Sequence, residues 1–320
     1  MQNDEPSQTP PLLAYDCVTP HYSTQEYLDS VIVNQCRCTQ LANFEPFNDE
    51  DEDDSSPQYS VSLITRLWDI DTTITFSFLN GSSNQHMKVL ICLNKWLQHS
   101  NVQLEHVPMG GDVRIKFSPN ASWSYVGTNC KTVHGDRPTM QLGGIDESES
   151  SLTTSEMRTI LHECGHMLGF VHEHQSPTRE SQVTFDKKAT VSYYADTWSP
   201  SKVERSVLRI HLEERLAAYS PFDDMSIMLY EIPACTNSER RHIARPSSLS
   251  PVDAAFATLL YPPSLSPNLP LLKHSLAIAG VPPCRQLHVL NSDSPQQFRS
   301  RFMTWNREAR VAYSVVDHPA

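Results

Sequence analysis

Two histidines four residues apart, with a glutamate directly after the first, stand in His162-Glu163-Cys164-Gly165-His166. On a helix a four-residue step returns to within about 40° of its starting direction, so both imidazoles face one point, at a separation that suits a single Zn2+. Glu163 lies about 100° round from His162, outside the ligand set but within reach of a water held at that point. Cys164, about 200° away, falls on the apolar face instead. Gly169 follows three residues after His166 and can leave the helix with a positive φ, which swings the chain back so that His172 arrives from a loop as a third ligand. Three protein ligands leave one position open for water, the arrangement of catalytic rather than structural zinc. A bare HExxH occurs by chance in about 1% of chains this long. Fixing a glycine and a histidine at the next two offsets lowers that by a factor of roughly several hundred.

The elements that must hold these residues can be read in outline. Thr153 and Glu156 form a capping box, and Met157, Ile160, Leu161, Cys164, Met167 and Leu168 give an apolar helical face that ends at Gly169. Upstream, Ile74, Phe76 and Phe78 alternate with threonine and serine as a strand does. Asn80-Gly81 turns the chain into a helix over roughly 84 to 99, carrying Met87, Leu90, Ile91, Trp96 and Leu97. Strands follow at Val102 to Val107 and at Val113 to Phe117. Shorter ones are expected at Trp123 to Val126 and Thr139 to Leu142, the latter as an edge on which an extended peptide would pair. Downstream, a helix is predicted from Ser201 to about Tyr219. Another opens on Ser250, Pro251 and Asp253 and ends before Pro262-Pro263.

The metal segment extends to His162-Glu163-x-x-His166-x-x-Gly169-x-x-His172, followed by Glu173, and Ser226-Ile227-Met228-Leu229-Tyr230 lies downstream. Together these resemble the metzincin metallopeptidases, and the astacin family in particular, whose marks are a glutamate after the third histidine and a Ser-x-Met-x-Tyr Met-turn. Arg66-Leu67-Trp68, Trp123 to Gly127 and Leu249-Ser250-Pro251-x-Asp253 are similar to the same family, so the resemblance covers about 66 to 262. It implies an α+β metzincin-like catalytic domain: a twisted mixed sheet with the active-site helix in an upper lobe, over a mostly helical or irregular lower lobe. It further implies one catalytic Zn2+ held by His162, His166 and His172, with Glu163 as the base of a zinc endopeptidase acting on peptide or protein substrates. Met228 would lie as an apolar floor under the metal, and Tyr230 would be a displaceable extra ligand whose hydroxyl steadies the transition state. Glu173, which in the family can pair with a freed N-terminus, would stand as a carboxylate behind the third ligand. The alternatives are a catalytically silent zinc-binding interaction module and a structural zinc site, the latter disfavoured because no fourth protein ligand is evident.

The totals bound the rest. The 320 residues carry 25 Lys+Arg against 37 Asp+Glu, a net charge of −12, which argues against a nucleic-acid partner. No stretch approaches the ~20 apolar residues of a membrane span. Nine of the ten glycines lie between Gly81 and Gly169, which marks the half of the chain where the backbone turns tightly or approaches something closely. Residues 1–58, with six prolines and the acidic run Asp49 to Asp54, read as an extension, 59–262 as the catalytic domain and 263–320 as a proline-rich, loosely attached tail. No signal peptide is visible, so the sequence as written reads as intracellular, whereas the resembled family is usually secreted; the two signs point opposite ways and leave the compartment open. That family has two disulfides, for which Cys92, Cys130, Cys235 and Cys284 are the available thiols. Its inhibitory prosegment carries an aspartate in Phe-x-Gly-Asp, and here Phe47-Asn48-Asp49 lacks the glycine. Cys36-Arg37-Cys38 reads as an exposed thiol pair. If Asp49 blocks the metal, a chain lacking residues 1–58 hydrolyses a quenched peptide faster than the full chain; equal rates dismiss the inhibitory role.

Overall fold

The computed structural model describes residues 66–119, 121–211 and 216–314. The extension with Asp49, Cys36 and Cys38 lies outside the described residues. Five strands, β1 Thr73–Phe78, β2 Gln103–His106, β3 Val113–Ser118, β4 Trp123–Ser124 and β5 Met140–Gly143, form one sheet in the order β2-β1-β3-β5-β4. Strands β2, β1, β3 and β5 run parallel, and β4 is antiparallel to β5, with Trp123 opposite Gln141 and Ser124 opposite Met140. β5 is therefore not an edge, as its sequence suggested. β4 covers it, and β4 is the outer strand of the sheet on that side.

Two helices pack on this sheet. In α1, Ser83–Leu97, the Ser82 hydroxyl accepts from the Gln85 N–H while Gln85 Oε1 accepts from the Ser82 N–H, so two otherwise orphaned donors at the helix start are satisfied. In α2, Thr154–Leu168, Thr153 and Glu156 repeat the device. Val89, Leu90, Leu93 and Trp96 of α1, Ile160, Leu161 and Cys164 of α2, and Ile74, Phe76 and Ile115 of the sheet are buried in one hydrophobic core. Each such burial contributes about 1.5–3 kcal/mol.

A polar joint locks the two helices together. Lys88 of α1 is fully buried, and its Nζ donates to Asp146 O at 3.0 Å and to Glu156 Oε1 at 2.5 Å. Burial pushes the Glu156 carboxyl up, but the Lys88 and Thr153 hydrogen bonds outweigh it and hold the group below the usual carboxylate range. One carboxylate thus caps α2 and pins it to α1.

After α2 the chain is less regular: α3 Lys187–Tyr194, the short α4 Pro200–Val203, and one π-helical turn at Glu204–Leu208. The predicted helix from Ser201 to Tyr219 is therefore shorter and starts on a Ser199 cap, because the π turn ends it at Leu208. A small second core of Val183, Leu229, Ile232 and Ile243 closes this region, and α5, Pro251–Leu260, returns to the main core.

The C-terminal segment is not loosely attached. It forms α6 Leu269–Ile278, α7 Pro283–Leu290 and α8 Pro295–Ser314. Its prolines open helices, where a missing N–H costs nothing, instead of breaking them. Leu272, Leu276, Val289, Phe298 and Phe302 are buried in the main core. Arg299 donates to Trp68 O and Leu260 O, and Asn306 pairs with both the N–H and the C=O of Tyr219. Among the described residues Cys92, Cys130, Cys164, Cys235 and Cys284 are all free thiols, so none of the pairings open to four of them is formed.

Replacing Lys88 by methionine leaves Glu156 buried without its cation, and is expected to cost about 3–5 kcal/mol in urea unfolding. A loss below about 1 kcal/mol would show that the joint is not electrostatic.

Candidate metal centre

Helix α2 delivers His162 and His166, and its end delivers the third histidine. Gly169 adopts φ 107°, and its N–H reaches His166 O while that of Phe170 reaches Gly165 O at 2.9 Å, a Schellman closure. The reversed chain brings His172 alongside the first two, as its spacing predicted. All three imidazoles are buried, and their ligand atoms lie within 4.8 Å of one another.

The hydrogen bonds of the other ring nitrogens fix what these atoms are. His162 Nδ1 lies 2.9 Å from Ile227 O and His166 Nδ1 lies 2.7 Å from Phe170 O. A carbonyl only accepts, so each Nδ1 carries the proton and each Nε2 is a bare lone pair. Nε2 of His166 lies 3.1 Å from Nε2 of His172. Tetrahedral ligands at zinc–nitrogen distances are about 3.3 Å apart. The observed spacing is close to that value, and three buried imidazole nitrogens are a donor set that fits zinc. Burial pushes the His166 imidazole down to about 4 and lowers those of His162 and His172, which keeps them neutral, as ligands must be.

The Met-turn supports this cluster from below. Ser226 Oγ donates to Asp253 Oδ1 at 2.7 Å, the Ile227 N–H donates to Asp253 Oδ2 at 2.8 Å, and the Met228 N–H donates to Ser226 Oγ at 3.1 Å. A Cβ on Gly165 would overlap Met228 Sδ, so the thioether lies flat against the ligand helix. Glu173 donates its N–H to Met228 O, and its carboxylate accepts the Asp223 N–H at 2.9 Å.

Glu163 is buried, with Oε2 lacking any partner, and burial pushes its carboxyl up to about 8. The Tyr230 ring lies 4.2 Å from that of His172, and its hydroxyl is raised by burial and then by the Glu163 charge. Arg245 is a residue the sequence did not flag. Its guanidinium acts electrostatically on His162, Glu163 and Tyr230, and its buried Nε has no partner. No local spacing announces it, since it lies 82 residues beyond Glu163 in a loop.

The family model for the Astacin peptidase family matches residues 60–249. The chain belongs to the astacin family. Among solved structures it is similar to myroilysin, at 29% identity and TM-score 0.59, covering 62% of this chain and 97% of that one. It is also similar to high choriolytic enzyme 1, a hatching enzyme zinc-protease from the medaka fish Oryzias latipes, at 16% identity and TM-score 0.45, covering 64% and 98%. No curated protein matches significantly. This astacin is a zinc metalloendopeptidase whose three histidines form the group able to hold the metal. None of its described helices is long and apolar enough to cross a membrane.

In an exposed helix Gly→Ala stabilises by about 1 kcal/mol. Gly165→Ala is expected instead to destabilise by about 1–3 kcal/mol through Met228, and Met228→Ala in the same chain to recover part of that loss. Additive losses in thermal unfolding would separate the two residues.

Proposed function

We propose that this astacin hydrolyses peptide bonds with Glu163 as general base and Tyr230 as oxyanion donor. The observation that supports it most is the buried, unpartnered Glu163 Oε2 one helical position from a ligand histidine. Zinc held by His162, His166 and His172 supplies Lewis-acid polarisation of the scissile carbonyl and makes water acidic enough to ionise near neutral pH. Glu163, aimed from the helix position beside a ligand histidine, accepts the proton of the attacking water and returns it to the leaving amine. Tyr230, kept protonated by burial, donates its O–H to the developing oxyanion. Arg245 opposes the burial of the Glu163 charge and so tempers its basicity. Met228 and Glu173 hold the floor and the back of the His172 loop.

An extended substrate is read as pairing with the outer edge of β4, beside the Trp123 and Tyr125 rings, which meet edge to face at 6.0 Å. A silent zinc module would have no use for an orphaned carboxylate oxygen buried beside the ligand histidines.

Glu163→Gln is expected to retain zinc while lowering hydrolysis of a quenched peptide by about 10²–10⁴-fold. Tyr230→Phe is expected to lower kcat by about 10²–10³-fold. A chelator should abolish the wild-type activity and added zinc restore it. Wild-type protein that binds zinc and hydrolyses nothing would establish the silent module instead.

A further inference from the structure

Each ligand ring needs its Nδ1–H tied to an acceptor, and the three acceptors are not equivalent. Those of His162 and His166 are backbone carbonyls, fixed by the fold. That of His172 is a side chain, Gln175 Oε1, at 3.3 Å. Gln175 is fully buried, in the single 3-10 turn Glu173–Gln175 that follows the ligand.

What orients the Gln175 amide lies thirty residues away. Its Nε2 is 2.8 Å from Arg205 O and 3.1 Å from Arg209 O. The turn at Glu204–Leu208 ends there, and a helix end leaves its last carbonyls without intrahelical donors. The loop after His172 supplies the donors. His174 Nε2 is 2.8 Å from Ser206 O, and Arg179 Nη1 reaches Leu208 O at 3.2 Å and His174 O at 3.0 Å. Because Arg205 O and Arg209 O only accept, the atom between them is the amide nitrogen. The amide oxygen then faces His172, so His172 Nδ1 carries the hydrogen, and Nε2, 3.1 Å from His166 Nε2, is the nitrogen that faces the other ligands. The logic runs in one direction, from two backbone carbonyls through one amide to the ligand ring.

We propose that Gln175 is the positioning residue for His172, passing the acceptor-only character of the Arg205 and Arg209 carbonyls to the imidazole so that its Nε2 is the nitrogen turned toward zinc. The irregular 204–209 segment is then part of the metal centre through its backbone carbonyls. This inference rests on the zinc reading of the three histidines. Outer partners of ligand histidines are worth about 10–100-fold in metal affinity.

The test uses the full chain and two readouts, affinity for zinc itself against a chromophoric chelator, and the imidazole tautomer of His172 in zinc-free protein from long-range 15N–1H spectra. Wild-type His172 is expected to be protonated at Nδ1. Gln175→Leu, which removes the acceptor, is expected to lose that signature and about 10–100-fold in zinc affinity. Gln175→Glu, which keeps an acceptor, is expected to retain the Nδ1–H form. Wild-type His172 protonated at Nε2, or a folded Gln175→Leu with unchanged tautomer and affinity, overturns the proposal. Should Gln175→Leu fail to fold, the wild-type and Gln175→Glu spectra decide alone. Wild-type protein that takes up no zinc, while showing the expected tautomer, counts against the metal reading and leaves the positioning role supported.

Discussion

Three imidazole nitrogens converge on one buried point, within 4.8 Å of one another. A buried ring keeps such an orientation only when its other nitrogen is held by an acceptor. The surrounding architecture follows from supplying three acceptors at the right places. The Met-turn must come close enough for Ile227 O to reach His162. Helix α2 must stop at Gly169 so that Phe170 O can turn in toward His166. The loop beyond must place Gln175 under His172.

Two other buried carboxylates make these placements stable. Glu156 accepts from Thr153, from Asp146 N–H and from Lys88, which fixes the start of α2 against α1. Asp253 sits at the start of α5 and accepts from Ser250 N–H, Ser226 Oγ and Ile227 N–H. Burial raises its carboxyl and those donors draw it only partly back, to about 6. Each carboxylate does double service, capping its own helix while holding a neighbouring segment. The metal helix and the Met-turn are thereby anchored by separate pieces of the same chemistry, and Met228 meets Gly165 where the two come together.

The parts of this design that sequence revealed are those written at short range. The i, i+4 histidines, the capping box at Thr153 and Glu156, and the glycine that ends α2 are local rules, and all take the predicted form. The strand positions followed from periodicity, and the α+β class from the family resemblance that the metal motif carries. Strand order did not, because β5 pairs with a two-residue β4 too short to carry a period of its own. Arg245, Gln175 and the Met-turn role of Asp253 were hidden for a related reason. Each acts on a partner tens of residues distant, and nothing in its immediate neighbours signals that partner. The C-terminal helices were misjudged because proline content was weighed without position, and proline in a first helical turn favours the helix it was taken to break.

The contact between Arg299 and Trp68 spans 231 residues. Chains are made at about 5–20 residues per second, so the Trp68 carbonyl waits on the order of 10–50 s for its partner to be synthesised. Tyr261, which joins Trp68 N–H to Leu168 O, arrives only shortly before. The first segment of the domain is thus fastened by a late helix, and the zinc helix gains its contact at Leu168 only once Tyr261, 93 residues further on, has been made.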